Sequence, residues 1–239
     1  MKANVITRYM RKVLPLRRSG VVIVAAGSAS RMRGIDKVMA SLGDKPIILK
    51  TVSAFQNCEA ISEIVIVTRQ DLMQQVMDMC AVFSKVRGVV IGGTTRQESV
   101  EAGIAALSKN INLIAVHDGA RPLVSCELID RVVRAANTYH AAVPVVLVKD
   151  TIKIAQGGVV KSTPDRSKLY AIQTPQVFDR DILCAALKKV RKHEVQVTDD
   201  SSAVEYLGFT VKTVEGDEKN LKVTTPIDLR IAEILMEER

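Results

Sequence analysis

The segment Gly27-Ser28-Ala29-Ser30-Arg31-Met32, with Lys37 shortly after it, follows the apolar run Val21-Val22-Ile23-Val24-Ala25-Ala26. Small side chains let a ligand lie against the backbone, and free N–H groups in such a turn can hold phosphate oxygens. Arg31 and Lys37 then supply fixed positive charge where a polyphosphate would sit. Two common fingerprints are excluded. A Walker loop needs a second glycine where Met32 stands, and a dinucleotide fingerprint needs glycines where Ala29 and Met32 stand. Taken alone, the segment reads equally as an ordinary turn after a core strand.

Further candidate groups recur at later strand ends. Val116-His117-Asp118-Gly119-Ala120-Arg121-Pro122 offers a carboxylate suited to magnesium, directly or through water, because that ion prefers oxygen ligands. Asp118 equally suits a helix cap near Ser125 or a pair with Arg121. His117 reads as a strand-end residue packed beside the site rather than as a base. Gly92-Gly93-Thr94-Thr95-Arg96-Gln97-Glu98-Ser99 permits close approach of a planar base, although Thr95 through Glu98 is also a capping box. Asp165-Arg166, Gln173-Thr174-Pro175-Gln176 and the stretch 215–224 add hydroxyls and cations. Arg31, Lys37, Arg121, Arg166 and Lys222 thus all fall near expected loops of one sheet edge. No activated Ser or Cys stands out. Positive charge with one or two acids is the equipment of phosphoryl or nucleotidyl transfer, in which an anionic phosphate attacks and no protein nucleophile is needed.

Those loops require a sheet to hold them. Short β-branched runs at 21–26, 63–68, 88–91, 113–117 and 142–148 alternate with helix-like stretches at 46–57, 70–82, 95–109 and 125–139. Continuous apolar strands between helices imply burial on both faces and parallel crossovers. The expected fold is α/β: a doubly wound, mostly parallel, Rossmann-like sheet that binds ligands at the carboxyl ends of its strands. The pattern breaks at 149–168, where polar and apolar residues alternate about Gly157-Gly158, the signature of an inserted β-hairpin arm. Such an arm must cover its apolar side, and a partner subunit is one solution. Helices near 179–192 and 199–207, a strand near 209–214 and a helix over 226–238 complete one domain spanning 21–239.

Composition narrows the classes. The formal net charge of +8 is concentrated in residues 1–20, which carry six Lys or Arg and no acid. The remainder holds 28 basic against 26 acidic side chains. Residues 1–20 therefore read as a basic, disordered leader, and with four Phe and four Tyr the body does not suit nucleic acid. No apolar run approaches the roughly 18 residues that span a bilayer, so no membrane partner is expected. Four scattered cysteines without C-x-x-C point to reduced thiols in the cytoplasm. The three histidines are scattered as well, so a metal held mainly by side chains is not expected, Asp118 being the one candidate contact.

From Val21 onward the ordered motifs resemble the 2-C-methyl-D-erythritol 4-phosphate cytidylyltransferases of the non-mevalonate isoprenoid pathway. The motifs are Ala25-Ala26-Gly27 through Arg31-Met32 and Lys37, Gly92-Gly93 with Ser99, His117-Asp118 with Ala120-Arg121-Pro122, Asp150-Thr151, Asp165-Arg166, Thr174-Pro175-Gln176, Thr198-Asp199, Glu215-Gly216 and Asn220-Leu221-Lys222. The resemblance implies that CTP and methylerythritol phosphate, a polyol phosphate, give a CDP-alcohol and pyrophosphate with Mg²⁺ or another divalent cation. It implies that Arg31 and Lys37 hold the triphosphate. Ala25, Ala26, Gly93, Thr94 and Ser99 would line the cytosine pocket, with Gly27 and Gly119 at the ribose. Asp118 and Lys222 would organise the phosphates, and Arg121, Thr151, Thr174 and Lys222 would bind the alcohol phosphate. Arg166 would enter the other subunit's site in a homodimer built through the arm. Ala29, Val38, Gly119 and Asp217-Glu218-Lys219 depart from the family pattern without removing a needed charge. A ribitol-5-phosphate cytidylyltransferase shares nearly every nucleotide motif and is the nearest alternative; a nucleic-acid-binding protein is a distant one.

Overall fold

The computed structural model describes residues 17–27 and 37–237. Arg31, Ala29 and residues 1–16 lie outside them. The chain runs β1 (Ser19–Val24), β2 (Ser41–Leu42), β3 (Lys45–Pro46), α1 (Ile47–Asn57), β4 (Glu63–Thr68), α2 (Met73–Cys80), β5 (Val86–Ile91) and α3 (Arg96–Ala106). It continues with β6 (Leu113–Asp118), α4 (Cys126–Tyr139), β7 (Ala141–Leu147), β8 (Ile154–Gln156), β9 (Val159–Ser162), β10 (Tyr170–Ile172) and β11 (Gln176–Asp179). Helices α5 (Arg180–Lys192) and α6 (Asp200–Leu207), strand β12 (Lys212–Glu215) and helix α7 (Pro226–Glu237) follow.

The central sheet is mixed but mostly parallel. β1 pairs in parallel with β4 and β6, and β4 with β5. Because side chains alternate across a strand, Val21 and Ile23 enter one core layer and Val22 the other. The first layer packs α1, α2 and α4 against the sheet, and the second packs α3, α5 and α6. Burial on both faces is why β1 and β4 read as uninterrupted β-branched runs.

Three features depart from the sequence reading. β11 lies antiparallel between β6 and β7, at residues to which the sequence reading assigns no strand. β10 continues along the same side of β7, and the cis peptide Thr174–Pro175 falls in the gap. Strands of three and four residues are too short to display a period. The hairpin of β2 and β3 is missed for the same reason. Finally, the body begins earlier than Val21: β1 starts at Ser19, and Arg17 Nη1 donates to Asp179 at 2.6 Å. Residues 17–20 of the expected basic leader therefore belong to the folded body, with Ser19 and Gly20 in β1 between β4 and β6.

The arm has its expected turn. β8 and β9 pair antiparallel, and Gly157 and Gly158 take φ of +58° and +78°. Two consecutive left-handed residues make the hairpin turn whose twist matches the strands, which a β-branched residue would strain.

Gly103 places α3 directly on the sheet. A Cβ there would collide with Val22 and Val67, both stiff side chains of the core. Gly103→Ala is therefore expected to lower stability by about 1–3 kcal/mol despite alanine's better helix propensity, read from urea unfolding midpoints.

Candidate functional site

Parallel strands end on one side of the sheet, so the loops after β1, β5 and β6 converge. Gly92 is the contact point: a Cβ there would lie 2.5 Å from Ala26 Cβ and 2.7 Å from Ser99 Oγ. Between these loops lies a cavity of about 420 Å³. Ala25, Ala26 and Gly27 enter it from the loop after β1, and Gly93, Thr94 and Ser99 from β5 and α3. Asp118, Lys37, Arg96 and Lys222 bring the charges. Glu98 stiffens one rim. Its Oε2 accepts from the N–H groups of Thr94 and Thr95 at 2.7 and 3.0 Å, closing a capping box with Thr95.

A second cavity, also about 420 Å³, adjoins the first. Arg96, Asp118 and Lys222 line both. Arg121 and Thr174 belong to the second, with Gln173, Gln176, Asp199 and Ser202 on its far side.

Asp118 sits where the cavities meet. Lys222 Nζ lies 2.9 Å from its carboxylate and Arg121 Nε 3.5 Å. Burial alone would raise this carboxyl, but Lys222 outweighs it, with help from Arg96 and Arg121, and the pKa falls to about 2. Lys222 is delivered by a loop pinned at two points. Asn220 Nδ2 donates to the Thr174 carbonyl at 2.9 Å, and Val223 N–H to the Ala120 carbonyl at 2.8 Å. Arg121 adds a third tie through its bond to the Asn220 carbonyl at 2.7 Å. Arg96 is anchored differently, by an ion pair of 2.7 Å with buried Asp200 at the start of α6. Burial pushes the Asp200 carboxyl up, and Arg96 opposes without cancelling it.

His117 is fully buried, edge-on to Phe55 at 4.7 Å between ring centroids. Burial drives its pKa down to about 3, so it is neutral near pH 7. Both ring nitrogens are engaged, with the Arg121 carbonyl at 3.2 Å and the Thr174 hydroxyl at 3.0 Å. It is a packed structural group, as the sequence reading has it, and not a base.

The comparisons with known proteins agree with this geometry. The family model described as 2-C-methyl-D-erythritol 4-phosphate cytidylyltransferase matches residues 20–238. A relative of that name from Caldanaerobacter subterraneus is 43% identical over 220 residues, covering 90% of this chain and 97% of its own length. Another from Halalkalibacterium halodurans is 41% identical, covering 92% and 97%. Among solved structures, the 4-diphosphocytidyl-2C-methyl-D-erythritol synthase of Anaerococcus prevotii superposes with a TM-score of 0.85 at 31% identity, covering 93% of this chain and all of that one. The Thermus thermophilus cytidylyltransferase gives 0.75 at 33%, covering 92% and 99%.

The chain belongs to the 2-C-methyl-D-erythritol 4-phosphate cytidylyltransferase family.

In this cytidylyltransferase the expected site residues fall into four groups. Most line the two cavities. Gly119 lies beneath them: its N–H donates to the Val24 carbonyl at 2.9 Å, and a Cβ would stand 3.0 Å from Ala25. Thr151 and Arg166 are on the exposed arm and line neither cavity. Arg166 instead donates to the Lys149 carbonyl at 2.8 Å, in a separate depression with Leu147 and Asp165. Arg31 falls outside the described residues. The sequence reading gave no role to Arg96 or to its anchor Asp200. The signal was an arginine opening a helix after Gly-Gly-Thr-Thr, but its partner lies 104 residues away.

The donor set suits a divalent cation carried by phosphates. Among the described residues no three His, Cys, Asp or Glu side chains cluster, and Asp118 is the carboxylate reaching both cavities. Magnesium uses one or two carboxylates together with substrate phosphates and waters, which this arrangement allows.

Since His117 takes up a proton near pH 6.5 when unfolded but only near 3 when folded, its contribution to stability is complete above pH 6.5 and lost as pH falls toward 3. Asp118 adds a loss in the same direction below its ordinary 3.8. Urea midpoints from pH 7.5 to 4.5 are expected to fall with a His117 component of up to about 1.4 kcal/mol per pH unit. That component should vanish in His117→Gln.

Proposed function

We propose that this cytidylyltransferase moves the CMP unit of CTP onto 2-C-methyl-D-erythritol 4-phosphate, releasing pyrophosphate. The observation that supports this reading best is the pair of adjoining cavities sharing Arg96, Asp118 and Lys222. Two phosphate-bearing substrates brought into them would meet at the shared charges. A phosphate oxygen of the alcohol attacks the α-phosphorus in line, that P–O bond forms, and the bond to the pyrophosphate oxygen breaks. The attacking group is already anionic, so the protein positions and neutralises charge rather than supplying a nucleophile.

Ala25, Ala26, Gly93, Thr94 and Ser99 form the cytosine pocket, and Gly27 and Gly119 keep the backbone close to the ribose. Arg31 and Lys37 hold the triphosphate. Lys222, oriented by Asp118, sits where charge builds on the transferred phosphoryl group, and Arg121 and Thr174 receive the alcohol phosphate. A bound Mg²⁺, contacted by Asp118, would supply further neutralisation of triphosphate charge.

The arm supports a homodimer. Ile152, Ile154, Val159 and Val160 are 40–59% exposed, and Leu147, Tyr170 and Ile172 continue the apolar surface at its root. Two-fold pairing through this surface would cover it and carry Thr151 and Arg166 toward the partner's second cavity. Four free cysteines fit a cytoplasmic setting.

Pyrophosphate release with Mg²⁺ tests the reading, crossing four nucleoside triphosphates against methylerythritol 4-phosphate, ribitol 5-phosphate and glucose 1-phosphate. Turnover confined to CTP with methylerythritol phosphate is expected, and turnover with ribitol phosphate instead would replace the alcohol. Lys37→Ala and Lys222→Ala should each lower kcat by on the order of 10²-fold with the fold intact. Arg166→Ala should raise KM for the alcohol phosphate by roughly 10-fold or more while leaving KM for CTP unchanged, in a protein that sediments as a dimer. An unaltered KM for the alcohol phosphate would remove the arm from the site.

A further inference from the structure

A third and smaller core stands apart from the two layers packed on the sheet. Ala40, Leu42, Leu123 and Val223 are buried in it, and α7 closes it with the fully buried Ala232. Three of these residues lie close in sequence to a charge of the cavities. Ala40 follows Lys37 by three positions, Leu123 follows Arg121 by two, and Val223 adjoins Lys222. Among the described residues, no α7 side chain enters either main layer. Further contacts fix the helix near both ends. Asp228 Oδ2 accepts from the N–H and hydroxyl of Thr224 at 2.8 and 2.7 Å, and from the Thr225 N–H at 2.8 Å. The chain is thus held two residues after Lys222. Met236 reaches the β2–β3 turn, where a Cβ on Gly43 would stand 3.5 Å from its Cε.

We propose that α7 is the positioning element of the transfer site. By closing the third core it sets Lys37, Arg121 and Lys222 relative to one another, with Ala232 and Asp228 as the positioning residues. The inference rests on the cytidylyl-transfer reading above. The three cations are like charges carried on three separate loops, and Asp118 pairs with two of them. Repulsion drives such loops apart unless another contact joins them, and the shared apolar core is that contact. Neither Ala232 nor Asp228 lines a cavity, so each acts only through the loops it holds. Because Lys37 and Lys222 act on the transition state, moving them by about 1 Å is enough to slow transfer on the order of 10²-fold.

The test uses the full-length enzyme. A larger side chain at Ala232 has no space and must lift α7, while the two main layers keep their packing. Ala232→Leu should lower kcat by roughly 10- to 100-fold, with KM for CTP and for the polyol phosphate changed by less than about threefold. Ala232→Ser, of nearly the same size, should keep the wild-type kcat. Asp228→Ala should lower kcat by roughly 3- to 10-fold, and Asp228→Asn, which retains an acceptor oxygen, should not. Combination with Lys222→Ala separates displacement of the site from general destabilisation. Ala232→Leu should then lower kcat at least about threefold less than it does alone, because Lys222 cannot be lost twice. Losses that multiply in full would overturn the proposal. Hydrogen exchange without substrates reads the geometry apart from activity. In Ala232→Leu, segments 37–47, 119–124 and 221–225 should exchange faster together, with β1, β4 and β6 unchanged. Faster exchange confined to α7, or an unaltered kcat, would also overturn it. If β1, β4 and β6 open as well, the Asp228 pair decides by the same two readouts. Absence of wild-type turnover with CTP and any intact polyol phosphate would remove the cytidylyl-transfer reading, and the proposal with it, even beside the expected exchange pattern.

Discussion

The carboxylate of Asp118 is the charge around which the site is assembled. It is 14% exposed and would be unfavourable there alone, because an ion removed from water must be paired. Its partners come from near and far along the chain: Arg121 from the following turn, Lys222 from a loop a hundred residues on, and Arg96 from the start of α3. Meeting those needs brings the ends of three elements together and defines the boundary between two cavities. The same arrangement keeps the cations apart and oriented. Clustered cations without an acid among them would repel one another, and their side chains would spread into water.

The backbone around this cluster is held by hydrogen bonds as well as by apolar packing, since Leu221 and Val223 on either side of Lys222 enter a core cluster with Leu42 and Leu123. The loop carrying Lys222 is tied to the Thr174 carbonyl through fully buried Asn220, and the Gln173 amide bonds to the Asp217 carbonyl at 2.8 Å. These bonds attach the loop to the break between β10 and β11. The insertion of β11 between β6 and β7 therefore builds one wall of the second cavity. It carries Thr174 and Gln176 next to Asp118, on the side opposite the loops after β1 and β5.

Anchoring of the second cavity follows the same rule. Asp199 caps α6, accepting from the Ser202 N–H at 3.0 Å, while the Gln176 side chain donates to it at 2.7 Å. Its neighbour Asp200 turns inward to hold Arg96. Two adjacent acids thus do separate work: one terminates a helix and the other positions a cation.

The sequence by itself determined the α/β alternation, the side of the sheet on which the cavities open, the Gly157-Gly158 turn of the arm and most residues lining the first cavity. These are local properties. Burial on both faces leaves an unbroken apolar run, a left-handed turn demands glycine, and a strand that ends in small residues exposes backbone N–H groups. Tertiary structure alone decided the antiparallel placement of β11, the pairing of Arg96 with Asp200, the neutral state of His117 and the position of Thr151 outside both cavities. None of these leaves a local signal. β11 is too short to show a period, and an ion pair spanning 104 residues depends on how two layers pack. The tautomer of a histidine is set by the carbonyl that happens to face it. Local sequence carries the period of burial and the shape of turns, whereas contacts between distant charges exist only once strand order and register are in place.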